Sequence, residues 1–224
     1  MVVAINCDLR SRFGPVRDQG RRPTCLAFAL SDSHAAARAD LSALSSEFLF
    51  FHAQRRAKLR PDQGAILVSA IEALREDGQP IEQVWPYLPA LPTNLEQWSP
   101  PSPVQTHHCH ATRHDFDIFD LTHQLDTGHP VLLMVYLADS FYMPDADGLI
   151  SRPSSDQPDL VRQHAVVAVG HGQSNGERVI LVRNSWGPSW GLAGHGWVPH
   201  GYLSNYLFNS AVMVEASNVS SGSV

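Results

Sequence analysis

Apolar residues recur with two different periods along the chain. The segment 26–38 is rich in Ala and Leu, carries Phe28 and holds no Gly or Pro, so it predicts a helix that starts at Cys25 with Thr24 as its N-cap. Leu44-Ser45-Ser46-Glu47 offers an N-cap for a second helix over 48–59, closed by Pro61. Gly64 opens a third, in which Ile66, Ala70, Ile71 and Leu74 share one face and Gly78 supplies the C-cap. Between Pro80 and Pro103 prolines alternate with Trp85, Tyr87 and Trp98, which predicts an ordered but irregular connection with a lobe boundary at its end. Beyond it the pattern shifts to period two or to short apolar runs. Strands of an antiparallel sheet are predicted at 114–119, 130–137, 164–171, 178–183, 196–198 and 211–214, with a short helix at 121–125 capped by Asp120 and a long loop at 138–162. Residues 1–15 read as an extended arm, and the small polar residues from 216 onward as frayed. The expected organisation is one α+β domain over 1–224, with a mainly helical lobe at 16–108, a mainly β lobe at 109–217 and a flexible tail at 218–224.

Composition narrows the class. With 224 residues, 43% hydrophobic and 17% charged, the chain can bury a substantial core. A net charge of −6 offers no basic surface, so neither nucleic acid nor an anionic membrane is expected as a partner. Residues 1–7 have no basic leader and their apolar run breaks at Asn6, which argues against a secretory signal, and no apolar run reaches bilayer length. Cys7, Cys25 and Cys109 form an odd, widely spaced set and point to a reducing, cytoplasmic setting. The Asn218-Val219-Ser220 sequon would carry no glycan there.

Cys25 is the chemically suggestive residue. At a helix start its thiol would face unpaired backbone N–H groups and the positive end of the helix dipole, and both favour thiolate and lower the pKa. The plain alternative is a small buried hydrophobe in an Ala-rich helix. A base elsewhere decides between them. His164 follows Cys25 by 139 residues and Asn184 by 159, near the interval of about 130–150 found in one class of Cys-His-Asn hydrolases.

The flanking residues are more specific than the spacing. Gln163-His164-Ala165-Val166-Val167-Ala168-Val169-Gly170, then Arg183-Asn184-Ser185-Trp186-Gly187, and Val16-Arg17-Asp18-Gln19-Gly20 ahead of Cys25-Leu26-Ala27-Phe28, together resemble the papain-like cysteine peptidases. The resemblance runs from about Asp8 to Val214. It implies a papain-like two-lobe α+β fold with a cleft between the lobes, and a cysteine endopeptidase or peptide hydrolase without a cofactor. Residue by residue it implies Cys25 as nucleophile in a thiolate–imidazolium pair with His164, which serves as base and then acid, and Asn184 as the group that orients the imidazole. Gln19 would share the oxyanion hole with the Cys25 N–H, and losing one such donor typically costs about 3–4 kcal/mol of barrier. Trp186 resembles the family's indole that shields the His–Asn hydrogen bond. For substrate binding the alignment points to Gly64 and Ala65 for backbone pairing. It assigns Ile66, Leu67, Met134 and Ala165 to an apolar pocket for the second residue before the scissile bond, so an apolar side chain is expected there.

Several residues depart from the family's pattern. Arg22-Pro23-Thr24-Cys25-Leu26 stands where Cys-Gly-Ser-Cys-Trp is usual, so a half-cystine is absent. Ala65 replaces the second Gly of a Gly-Gly pair, and Gln163 stands where Asp or Asn is common. No pro-segment precedes Met1, so a protein regulator in its place is an expected partner beside a peptide or protein substrate. No metal is expected. His107-His108-Cys109-His110 with His114 has suitable ligand types, but adjacent residues rarely converge on one ion and the segment reads as a solvated loop. The alternatives are an acyltransferase using the same three residues, and a binding protein whose cleft the 138–162 loop blocks.

Overall fold

The computed structural model describes residues 3–115 and 117–214. The predicted frayed end and the 218–224 tail lie outside them. Three helices come first: α1 (Cys25–Ala37), α2 (Ser46–Ala57) and α3 (Leu67–Glu76). α2 is capped by Ser45, whose side chain accepts from the Phe48 N–H, and stops at Lys58, which turns into the left-handed region. In α3 the buried face is Leu67, Ala70, Ala73 and Leu74. Ile66 is the exposed N-cap residue rather than part of that face.

The strands are β1 (Ala4–Asp8), β2 (His110–His114), β3 (Val131–Tyr136), β4 (Gln163–Ser174), β5 (Glu177–Arg183), β6 (His195–Pro199) and β7 (Leu207–Val214). They form one antiparallel sheet in the order β2-β7-β3-β4-β5-β6, with β1 added along the far end of β4. The extended arm is thus a sheet strand. α4 (Ile118–Asp126) corrects the expected strand at 114–119. Asp117, not Asp120, is its N-cap, accepting from the Phe119 and Asp120 N–H groups. Alternation in the Asp-rich run favours a strand, but the cap chemistry of Asp117 prevails and the strand lies at 110–114 instead. α5 (Asp139–Tyr142) lies in the long loop, and α6 (His200–Tyr206), which the sequence reading missed, follows β6 directly. No helix among the described residues is long and apolar enough to cross a membrane.

The sheet is covered on both faces, which is why its strands read as continuous apolar runs rather than as alternating ones. Leu132, Val167, Val169, Val179 and Leu181 share one core cluster with residues of α1, α2 and α3. The intervening Val131, Leu133, Val166, Ala168, Ile180 and Val182 pack with residues of α4 and α6. α1, buried through Leu26–Leu30, runs along the first face with its N-terminus at Cys25.

Arg22 occupies the position of the missing half-cystine, and a buried ion pair ties it down instead. Its Nη1 and Nη2 donate to Glu47 Oε2 and Oε1 at 2.6 and 3.0 Å. Glu47, fully buried in α2, also accepts from Trp98 Nε1 at 2.6 Å and from the Leu88 N–H at 3.1 Å. Removing one partner strands a buried charge, at a cost of about 3–5 kcal/mol. Glu47→Ala should therefore lower stability by that amount in urea unfolding, and a loss below 1 kcal/mol would show that Arg22 is satisfied without it.

Candidate active site

The site is assembled from the start of α1, the turn before it, β4, and the segment after β5. The turn is set by Asp18, whose Oδ1 accepts from the Gly20 N–H at 2.8 Å while Gly20 takes φ +58°, a conformation that only glycine adopts freely. The preceding backbone pairs with the segment after β5, the Gln19 N–H donating to Ser185 O at 2.9 Å.

Ser185 fixes two amides at once. Its hydroxyl donates to Gln19 Oε1 at 2.7 Å, so the Gln19 NH₂ is turned the other way, with one N–H on Arg22 O at 2.9 Å and a second left to donate. The Ser185 N–H donates to Asn184 Oδ1 at 2.8 Å, and the same oxygen lies 2.7 Å from His164 Nε2. Since Oδ1 can only accept, Nε2 carries the proton and the Nδ1 lone pair is free to take another. Trp186 lies over this hydrogen bond, its ring 4.5 Å from the His164 ring, and Tyr142 stacks on Trp186 at 5.3 Å. Tyr142, Met143, Pro144, Trp186, Ser189, Trp190 and Gly191 line a groove of about 410 Å³ beside it. Larger cavities lie elsewhere, one of about 440 Å³ against Ser33, Ala36 and Ala37 at the other end of α1.

Cys25 is half-buried and lies within reach of the backbone N–H of Ala165, the residue after His164. Thr24 sits at the N-cap position but its hydroxyl pairs with Tyr87 at 3.0 Å, so it does not cap the helix as expected. The expected lowering of the thiol pKa is also corrected. Burial pushes the Cys25 thiol up, against the pull of the Ala165, Leu26 and Cys25 backbone N–H groups. Burial likewise pushes His164 down to about 4, with the Asn184 hydrogen bond opposing it. Spacing and helix position revealed the favourable dipole but not the desolvation, which disfavours the charged form of each group taken alone.

Around Cys25 the apolar positions separate into two groups. Leu67 and Ala165 belong to the core cluster against which half-buried Cys25, Ala65 and Met134 pack, and Met134 and Ala165 are directly paired across β3 and β4. Gly64 and Ile66 are exposed and outside that cluster. The His107 to His114 ligands are not brought together. His108 Nδ1 bonds to Arg75 O at 2.9 Å, while Cys109 is buried with its sulfur 3.9 Å from that of Met213.

A largely shielded clamp that the sequence reading missed joins the pieces. Asp32, on α1, accepts from Arg17 Nη2 at 2.7 Å and Arg183 Nε at 2.7 Å, and those two arginines hold its carboxyl below the usual carboxylate range despite its burial. Arg17 lies two residues before Gln19 and Arg183 immediately before Asn184. The only signal for it was the placing of opposite charges beside each motif, and surface ion pairs give the same pattern.

A family model described as papain family cysteine protease matches residues 3–215. Cysteine proteinase 3 of Dictyostelium discoideum is 39% identical over 67 residues, 30% of this chain and 19% of its own length. A peptidase C1-like protein of Acanthamoeba polyphaga mimivirus is 24% identical over 207 residues, 84% of this chain and 65% of its own. The chain thus spans less than two thirds of these relatives. Among solved structures, xylellain, a cysteine protease from Xylella fastidiosa, superposes with a TM-score of 0.77 at 24% identity, covering 95% of this chain and 87% of that one. The Carica candamarcensis cysteine protease CMS1MS2, solved in complex with E-64, gives 0.71 at 22%, covering 93% and 97%. With a family model matching nearly the whole chain and the same fold in these solved structures, the chain belongs to the papain family of cysteine proteases.

Proposed function

We propose that the chain is a thiol peptidase in which Cys25, His164 and Asn184 form the catalytic triad and Gln19 completes the oxyanion hole. The observation that carries this reading is the 2.7 Å hydrogen bond from His164 Nε2 to Asn184 Oδ1 beneath Trp186, which leaves Nδ1 as the base on the strand beside the thiol. As Cys25 attacks the scissile carbonyl its proton passes to Nδ1. The two charges then arise together, each offsetting the desolvation that disfavours the other alone. The developing oxyanion takes the free Gln19 N–H and the Cys25 N–H. His164 returns the proton to the leaving amine, and water then releases the acyl group by the same base. Ile66, Leu67, Met134 and Ala165 would receive an apolar side chain of a peptide or protein substrate, and Gly64 and Ala65 its backbone. Hydrolysis is favoured over transfer because the relatives are named as proteases. Three free cysteines suit a reducing, cytoplasmic setting, and a protein regulator remains part of the proposal.

The test is a kinetic series on one peptide substrate. His164→Ala should lower kcat the most, because proton transfer has no substitute. Gln19→Ala and Asn184→Ala should lower it less, by about 100- to 1000-fold for the lost oxyanion donor. Equal losses from all three, with normal melting, would contradict these separate roles.

A further inference from the structure

We propose that Cys7, Asp126 and His171 form a binding site for a zinc-class divalent cation, separate from the triad although His171 shares β4 with His164. The ligand atoms of these three residues all lie within 4.8 Å of one another. They come from three elements: Cys7 from β1, His171 from β4 and Asp126 from the last position of α4. Cys7 and His171 are directly opposed in the β1–β4 register, next to a bulge in β1 between Ile5 and Cys7.

The local sequence is shaped to this approach. His171 is flanked by Gly170 and Gly172, and a Cβ on either would stand 2.4 Å from a β1 carbonyl oxygen, that of Cys7 or of Ala4. Only glycine at both positions lets β1 lie this close and set its thiol beside the imidazole. His171 Nε2 meets Asp126 Oδ1 at 2.7 Å, and the Cys7 Sγ–H donates to Leu125 O at 3.3 Å.

The donor set is the reason for naming a zinc-class ion. One thiolate, one imidazole and one carboxylate are borderline ligands suited to Zn²⁺, with a water completing a tetrahedron, whereas Mg²⁺ and Ca²⁺ take oxygen ligands. Zinc bonds of about 2.0–2.3 Å to these atoms need ligand spacings a little wider than the present His–Asp hydrogen bond, and exposed Asp126 is free to swing. On binding, the Cys7 thiol loses its proton to solvent and forms the metal–sulfur bond. Neutral His171 coordinates through Nε2 once its proton has moved to Nδ1, and Asp126 exchanges its hydrogen bond for the metal. Without a cation Cys7 stays a thiol, since burial and the nearby Asp126 and Asp8 carboxylates push its pKa up. The same negative charge attracts a cation. This departs from the expectation of no metal, which considered only the 107–114 cluster.

Cobalt(II) is the probe, titrated into the full chain carrying Cys25→Ser so that the nucleophile offers no thiolate. One equivalent should produce a thiolate-to-cobalt charge-transfer absorption, reversed by one equivalent of Zn²⁺, and the melting temperature should rise with added Zn²⁺. A further Cys7→Ser change should abolish the absorption, and Asp126→Asn, a mild surface change, should weaken binding by about tenfold or more. Absence of the absorption in the Cys25→Ser chain, or its persistence unchanged with Asp126→Asn or with folded Cys7→Ser protein, would overturn the proposal.

Discussion

Replacing Cys25 with Ala is expected to reduce peptide turnover by about ten-thousand-fold or more, the scale on which loss of a nucleophile is felt when the remaining groups act with it as a unit. The expectation rests on one thiol lying at the start of α1 beside the strand that carries His164. Cys109 is buried in the core between the helices and the sheet, so Cys109→Ala should retain most of the activity. An epoxide peptide probe should add to Cys25 alone, as read by mass spectrometry of the digested chain. A folded Cys25→Ala protein that still turns over substrate at the wild-type rate would refute the assignment.

Stability should fall steeply on mild acidification, and here the sign follows from three buried histidines. His34, His164 and His195 are each pushed from 6.5 to about 4, chiefly by burial. Their folded pKa values lie below the unfolded ones, so their contribution is complete above pH 6.5. As pH falls from there toward 4 the unfolded chain takes up protons that the folded chain refuses, and the contribution is lost. Each histidine then removes up to about 1.4 kcal/mol per pH unit, on the order of 3 kcal/mol over the window. Asp32, whose pKa is lowered, loses its contribution only as pH falls from the ordinary carboxylate value toward its lower folded one. Urea midpoints measured from pH 7 to 4.5 should decline throughout, and His34→Gln should flatten the slope. A midpoint independent of pH across that range would mean the folded chain protonates these residues readily.

The raised thiol pKa, the lowered His164 pKa and the acid lability share a cause, the burial of ionisable groups. Burial of this kind leaves no mark in the pattern of the chain, although the residues involved do. Cys25, His164, Asn184 and Gln19 were legible because each sits in a local signal: a helix start, an apolar strand, a strand end, an Asp-Gln-Gly turn. The sheet was legible because both of its faces are buried, which leaves continuous apolar runs at 130–137, 164–171 and 178–183.

What stayed hidden depends on which distant residues meet. Asp117 capping α4 was visible in principle, but alternation around it suggested a strand and the competition was local. The Asp32 clamp, the Arg22–Glu47 pair and the Ser185 bond to Gln19 join residues far apart in the chain, and no periodicity records such a partner. The sequence by itself determined most helical and β segments, the order of the motifs and the candidate reacting groups, because period and spacing are properties of the chain. Only the tertiary structure decided the tautomer of His164, the direction of the Gln19 amide, the pKa of the thiol and the meeting of Cys7 with His171, because desolvation and hydrogen-bond partners exist only once separate segments are packed together.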